Sequence, residues 1–312
     1  MSLDPQELQD AVHGLLGFPV TPMNADGSVN DDAFTAQVEL LLRHGARAVF
    51  PAGGTGEFFS LDLDEHREVV RRCVEIVDGR VPVIAGVGYG LSLASQFVQS
   101  AERAGADGVL VLPPYLITPD QRGLEAHYTA LAERTRLGII IYQRDNAIFD
   151  PDTVARIAKR PNVVGFKDGL GQVERLQLIQ DRVENERFLF LNGMPTAELY
   201  APMFFALGVT TYSSAILNFL PEIATAFYES MTAHDTVAVQ RLFHEVLFPL
   251  AEIRNRRAGY AVSIVKAGAR LRGLQVGSVR PPLVDLTLSD QQDLEALLVR
   301  LNLHKPLVPA AA

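Results

Sequence analysis

Of the 28 Lys and Arg residues in this 312-residue chain, four are lysines: Lys159, Lys167, Lys266 and Lys305. Arginine carries most of the basic charge, so lysine is not surface filler. Lys159 and Lys266 fall in helical patterns and Lys305 in a proline-flanked tail, whereas Lys167 ends the short apolar run Val163-Val164-Gly165-Phe166-Lys167-Asp168-Gly169. Strand ends of this kind are where barrels and open α/β sheets carry their active sites. An amine held among apolar neighbours loses hydration in its charged form, so its pKa falls and it becomes a nucleophile toward carbonyl carbon. The competing reading is a strand-end lysine paired with a carboxylate such as Asp168.

Other apolar runs also stop at polar mouths. Ala52-Gly53-Gly54-Thr55-Gly56-Glu57 combines glycines, which let a backbone approach a ligand, with a hydroxyl and exposed N–H groups suited to a carboxylate or phosphate. The same string also reads as a plain tight turn, and without a P-loop lysine it does not imply a nucleotide. Gly86-Val87-Gly88-Tyr89-Gly90 misses the dinucleotide spacing. In Tyr142-Gln143-Arg144-Asp145-Asn146, the tyrosine could relay protons to a reacting carbonyl or be a satisfied core residue, and the arginine could bind a carboxylate through two parallel bonds. Asn192-Gly193-Met194-Pro195-Thr196 and Tyr212-Ser213-Ser214 complete the set.

Rival chemistries find less support. The seven histidines show no metal-ligand spacing, and no GxSxG elbow is present. Cys73, the single cysteine, sits in the helical rhythm Val69, Val70, Cys73, Ile76, Val77 and reads as buried. Neither a metal nor another cofactor is implied. Arg254, Arg256 and Arg257 form a basic knot that reads as a solvated or intersubunit salt-bridge cluster in preference to a ligand site. A formal net charge of -9 argues against nucleic acid or an anionic membrane surface and leaves a small molecule as the expected ligand. One thiol and an acidic N-terminal stretch without a signal-peptide pattern point to the cytoplasm. The uncharged window 199–220 is long enough to consider as a membrane span, but its Pro, Gly, Ser, Thr and Asn residues parse it as helix end, turn, strand and loop.

These mouths need a scaffold that brings them to one face. Apolar runs at 15–21, 48–52, 81–86, 108–112, 138–142, 163–167, 188–192 and 209–212 alternate with helical patterns, giving eight strand candidates. Continuous apolar runs mean strands covered on both faces, and crossovers of helix length mean parallel pairing. A (β/α)8 TIM barrel of the α/β class over 1–231 follows, such barrels typically using about 250 residues. The remaining stretch, 232–312, carries three helical patterns, near 235–253, 257–271 and 289–301, and forms a C-terminal extension. Leu294, Leu297, Leu298 and Leu301 make an apolar stripe behind a Ser289 cap, which must pack on the barrel or on another subunit. A homo-oligomer, dimer or tetramer, is expected.

The Gly-Thr-Gly-Glu turn at 54–57, the Tyr142 strand end and the Gly-Phe-Lys-Asp run at 165–168 together resemble the dihydrodipicolinate synthase and N-acetylneuraminate lyase family of Schiff-base barrels, over nearly the whole chain. The resemblance implies that Lys167 forms an imine with a 2-oxo acid, that Tyr142 relays protons, and that Gly54 with Thr55 binds the carboxylate. The strings 53–61, 142–147, 211–215 and 254–260 are similar to a branch of decarboxylating dehydratases acting in glucarate breakdown. On that footing Arg144 and Ser213 are candidates for gripping distal hydroxyls or a distal carboxylate, and Gly193 lines the pocket. Gly54 stands where better-known relatives carry Ser or Thr, so a hydroxyl relay through that position is absent. Tyr115 matches a tyrosine that reaches across a dimer interface in relatives, a role left in doubt without that hydroxyl. Rival readings are a pyruvate-dependent aldolase or synthase with the same imine, and a non-catalytic 2-oxo acid sensor.

Overall fold

A computed structural model describes residues 2–307, so the end of the extension, 308–312, lies outside the described residues. Seven strands form one parallel sheet in the order β1-β7-β6-β5-β4-β3-β2. They are β1 (Leu15–Gly17), β2 (Ile84–Val87), β3 (Gly108–Val111), β4 (Gly138–Gln143), β5 (Val163–Asp168), β6 (Leu189–Asn192) and β7 (Thr211–Ser214).

The run at 48–52, expected as a strand, is not a regular one. Val49 bridges Gly17 on one side and Val83 on the other. Phe50 N donates to Gly17 O at 2.8 Å, and Ile84 N donates to Val49 O at 2.9 Å. Pro51 and Pro82 have no N–H to give, so only part of a ladder can form. The segment still fills the gap between β1 and β2, and the ring closes as a (β/α)8 barrel. Ala52 then crosses Gly86 so closely that a Cβ on Gly86 would lie 2.1 Å from Ala52 O, which requires glycine there.

The strands are buried on both faces. Leu16, Phe18, Phe50, Ile84, Leu110, Ile140, Tyr142, Val164 and Leu191 pack in one cluster inside the ring, joined by Leu8 of the N-terminal helix Pro5–Ala11. Val109, Val111, Ile139, Ile141 and Phe166 belong to a second cluster between sheet and helices. The helix Asp31–Arg43 is capped by the Asn30 side chain and followed by Gly45 at φ +80, and Leu91–Ala104 ends at Gly105 at φ +89. Window 199–220 resolves into the short helix Ala201–Ala206, β7 and a 3-10 turn Ile216–Asn218. No helix among the described residues is long and apolar enough to cross a membrane.

Beyond the helix Pro221–Thr232 come helices Thr236–Leu242, Phe248–Arg254, Tyr260–Leu271 and Leu288–Arg300. The first expected helix, 235–253, is interrupted by a π turn at Phe243–Leu247. Pro249, just after it, cannot donate to the preceding turn, which favours such a break. Thr287, not Ser289, caps the last helix, its hydroxyl accepting from Asp290 N.

Candidate active site

Strand parity alone would not aim Lys167 inward. Val164 packs inside the ring, and strict alternation would turn Lys167 to the helix side. A register shift intervenes: Ile139 faces Val163, but Ile140 faces Gly165, so β5 carries an extra residue. After this bulge Phe166 points outward and Lys167 is level with inward-facing Tyr142. Bulges commonly re-aim a side chain in this way.

Lys167 is 4% exposed, with Nζ 4.1 Å from the Tyr142 ring centroid and 4.5 Å from that of Phe18. No carboxylate among the described residues pairs with it. Asp168, the sequence-adjacent candidate, is engaged elsewhere: Oδ1 accepts from Gln143 Nε2 at 2.9 Å and Leu170 N at 3.0 Å, and Oδ2 from Gly171 N at 3.1 Å. Burial, and secondarily the positive charge of Arg144, pull the Lys167 pKa from 10.5 to about 7. A large fraction of the amine is therefore neutral at neutral pH.

Tyr142 Oη donates to Gly193 O at 2.9 Å and accepts from Arg144 Nη1 at 3.2 Å. Burial raises its pKa, and the adjacent Arg144 works in the opposite direction. Arg144 also donates to Asp145 Oδ2 at 3.2 Å. Gly193 is demanded by the site: a Cβ there would lie 2.7 Å from Lys167 Cγ and 2.9 Å from Tyr142 Cε2.

These residues line a cavity of about 400 Å³ that Gly54, Thr55 and Ser213 also border. A Cβ on Gly54 would meet nothing within 4 Å, so the protein leaves open space at that position. Ser213 Oγ reaches Asn192 O at 3.4 Å. Every sequence-predicted site residue thus reaches one cavity. Tyr115 does not line it and is 70% exposed.

Two features escaped the sequence reading. Lys266, placed in a helix without further role, is fully buried and 2.5 Å from Glu57 Oε1. Glu57 Oε2 accepts from Arg280 N at 2.9 Å, and Lys266 also donates to Ser278 O at 2.9 Å. Glu57 itself sits in the left-handed region at φ 56, a conformation these partners hold in place at the end of the Gly54-Thr55 turn. The second is the basic knot. Arg256 forms ion pairs with Asp290 and Asp293, within the chain. Arg254, in contrast, borders the cavity, as does Leu250 one helical turn earlier. That i, i+4 spacing was the available signal.

A sequence profile of the Dihydrodipicolinate synthetase family matches residues 11–301. The chain is 46% identical over 301 residues to a Bradyrhizobium diazoefficiens protein named "Probable 5-dehydro-4-deoxyglucarate dehydratase", covering 96% of each. A protein of the same name from Streptomyces griseus subsp. griseus is 49% identical over 287 residues, 91% of this chain and 90% of that one. The solved structure of dihydrodipicolinate synthase from Oceanobacillus iheyensis superposes with a TM-score of 0.88 at 28% identity, covering 96% of this chain and 99% of that one. Profile, relatives and barrel agree over nearly the full length, and the chain belongs to the dihydrodipicolinate synthetase family.

Proposed function

We propose that this chain is a Schiff-base lyase that converts 5-dehydro-4-deoxy-D-glucarate to 2,5-dioxopentanoate with loss of water and carbon dioxide. The observation that carries this reading is Lys167: buried, without a carboxylate partner among the described residues, and in contact with the Tyr142 ring. The substrate follows the name of the relatives that cover almost the whole chain.

Neutral Lys167 Nζ attacks the ketone carbon beside the substrate's carboxylate, and Tyr142 hands protons to and from the carbinolamine oxygen as it leaves as water. Gly54 and Thr55 hold that carboxylate. The iminium acidifies the adjacent methylene, and once its proton is removed the enamine electrons expel the neighbouring hydroxyl as water. The product is an iminium conjugated to a carbon–carbon double bond. The distal carboxylate then leaves as carbon dioxide, its bonding pair flowing through the conjugated chain to nitrogen. Protonation, tautomerisation of the enol to an aldehyde and hydrolysis of the imine release 2,5-dioxopentanoate and restore the amine. Ser213 and Arg144 border the hydroxyl-bearing part of the substrate.

A pyruvate-releasing aldolase would share the imine, and the named relatives weigh against it. Parallel assays decide: a semialdehyde dehydrogenase coupled to the product reports 2,5-dioxopentanoate, whereas lactate dehydrogenase reports pyruvate. Carbon dioxide with semialdehyde and no pyruvate is the expected result, and pyruvate release overturns the assignment. Tyr115, Leu116 and Ile117, at 70%, 82% and 61% exposure, support association with a second copy in a dimer or tetramer, tested by sedimentation.

A further inference from the structure

We propose that Arg254 is the receptor for the distal carboxylate, and so the residue that makes the site select 2-oxo diacids over 2-oxo monoacids. This deepens the Schiff-base reading above and rests on it.

Three observations carry the assignment. Arg254 ends the helix Phe248–Arg254, outside the ring of strands, yet its side chain borders the same cavity as Lys167. It is fixed there by neutral oxygens: Nη1 donates to Pro195 O at 3.0 Å and to Thr196 Oγ1, while Nε and Nη2 donate to Asn255 Oδ1 at 3.1 and 3.0 Å. Pro195 and Thr196 follow Gly193, where an added Cβ would collide with Lys167 and Tyr142, so the guanidinium is tied to the segment that shapes the reacting end. Finally, it forms no salt bridge among the described residues. Arg144 has Asp145 and Arg256 has two aspartates, but no carboxylate among the described residues pairs with Arg254.

Nearby Glu198 is buried behind the wall and accepts from Ser214 Oγ. Burial raises its pKa to about 7, which weakens it as a counter-ion at neutral pH. Burial also lowers the Arg254 pKa, outweighing the opposing influence of Tyr200 and Glu198. A half-buried, immobilised cation in the wall of a 2-oxo acid site is matched by a second carboxylate on the substrate, and a hydroxymethyl or methyl terminus leaves it unanswered. Because this contact favours the bound carboxylate before it leaves, its effect falls on affinity and KM.

The test needs no turnover. Adducts on the full-length protein are trapped with cyanoborohydride and followed by intact mass, using 2-oxoadipate, 2-oxohexanoate and pyruvate. Wild type is expected to half-saturate with 2-oxoadipate at a concentration about tenfold or more below that for 2-oxohexanoate, the size of an ion-pair contact. Arg254→Met removes the preference while pyruvate labelling reports an intact Lys167. Should Arg254→Met fail to fold, Arg254→Lys and Arg254→Gln replace it, and a preference kept by Lys and lost by Gln supports the assignment. Equal preference in both, a preference unchanged in Arg254→Met, or one abolished by Arg144→Met alone overturns it and leaves the imine chemistry standing. Failure of wild type to label with any of the three acids removes the Schiff-base reading itself, and this assignment with it.

Discussion

Lys266 and Glu57 form an ion pair at 2.5 Å in which neither side chain is exposed at all, joining the helix Tyr260–Leu271 to the turn that carries Gly54 and Thr55. A buried pair of this kind gains little over a well-packed apolar pair, but removing one member strands a charge in the interior. Lys266→Met is therefore expected to lower the unfolding free energy by about 3–5 kcal/mol, and Lys266→Met with Glu57→Gln to recover much of that. Urea unfolding measures both. A single variant as stable as wild type would show that the pair does not hold the turn.

Gly193→Ala tests the packing around the reacting amine. The new methyl would sit 2.7 Å from Lys167 Cγ and 2.9 Å from Tyr142 Cε2, so both side chains must move. Displacements of this order cost on the order of 100-fold in rate. The expected result is a loss of kcat together with a lowered thermal transition, since the methyl overpacks a buried site; full activity would mean that the two groups need not be held as they are.

Imine formation should follow the protonation of Lys167. With a pKa near 7, set first by burial and then by Arg144, the neutral amine grows as pH rises through 7 and levels off above about 8. Arg144→Met removes a neighbouring positive charge, which makes the ammonium form easier to keep. Its profile for pyruvate trapping is expected to move to higher pH, and a shift to lower pH contradicts the electrostatic account.

Glu198 has one carboxylate oxygen without a partner among the described residues, and burial raises its pKa from 4.5 to about 7. The folded protein thus holds this proton more tightly than the unfolded chain, so stability falls as pH rises from about 4.5 to 7 and the penalty is complete above that. Glu198→Gln removes it. The variant's advantage over wild type should be near zero at pH 4 and on the order of 3 kcal/mol at pH 8. An advantage independent of pH would assign the effect to packing.

Much of this was readable because strands and helices announce themselves locally. The apolar runs and the polar residues that end them located seven strands and brought Lys167, Tyr142, Gly193 and Ser213 to one mouth. The run at 48–52 reads as a strand yet forms only isolated bridges, because apolar character says nothing about the N–H groups that Pro51 and Pro82 lack. The bulge that aims Lys167 inward depends on pairing between β4 and β5, which no single run encodes. Lys266 could have been suspected: Val262, Ile264, Val265, Ala267 and Ala269 surround it on all sides, and a helix apolar all round is buried. Its partner Glu57, in contrast, is distant in sequence and becomes visible only in the fold.

The imine on Lys167 is the centre of the account, and reductive trapping with 5-dehydro-4-deoxyglucarate tests it most directly. Intact mass and peptide mapping after borohydride should show one adduct, on the peptide containing Lys167, with carbon dioxide released and no pyruvate. No adduct, an adduct on Lys159, Lys266 or Lys305, or turnover by Lys167→Ala within about tenfold of wild type would contradict it.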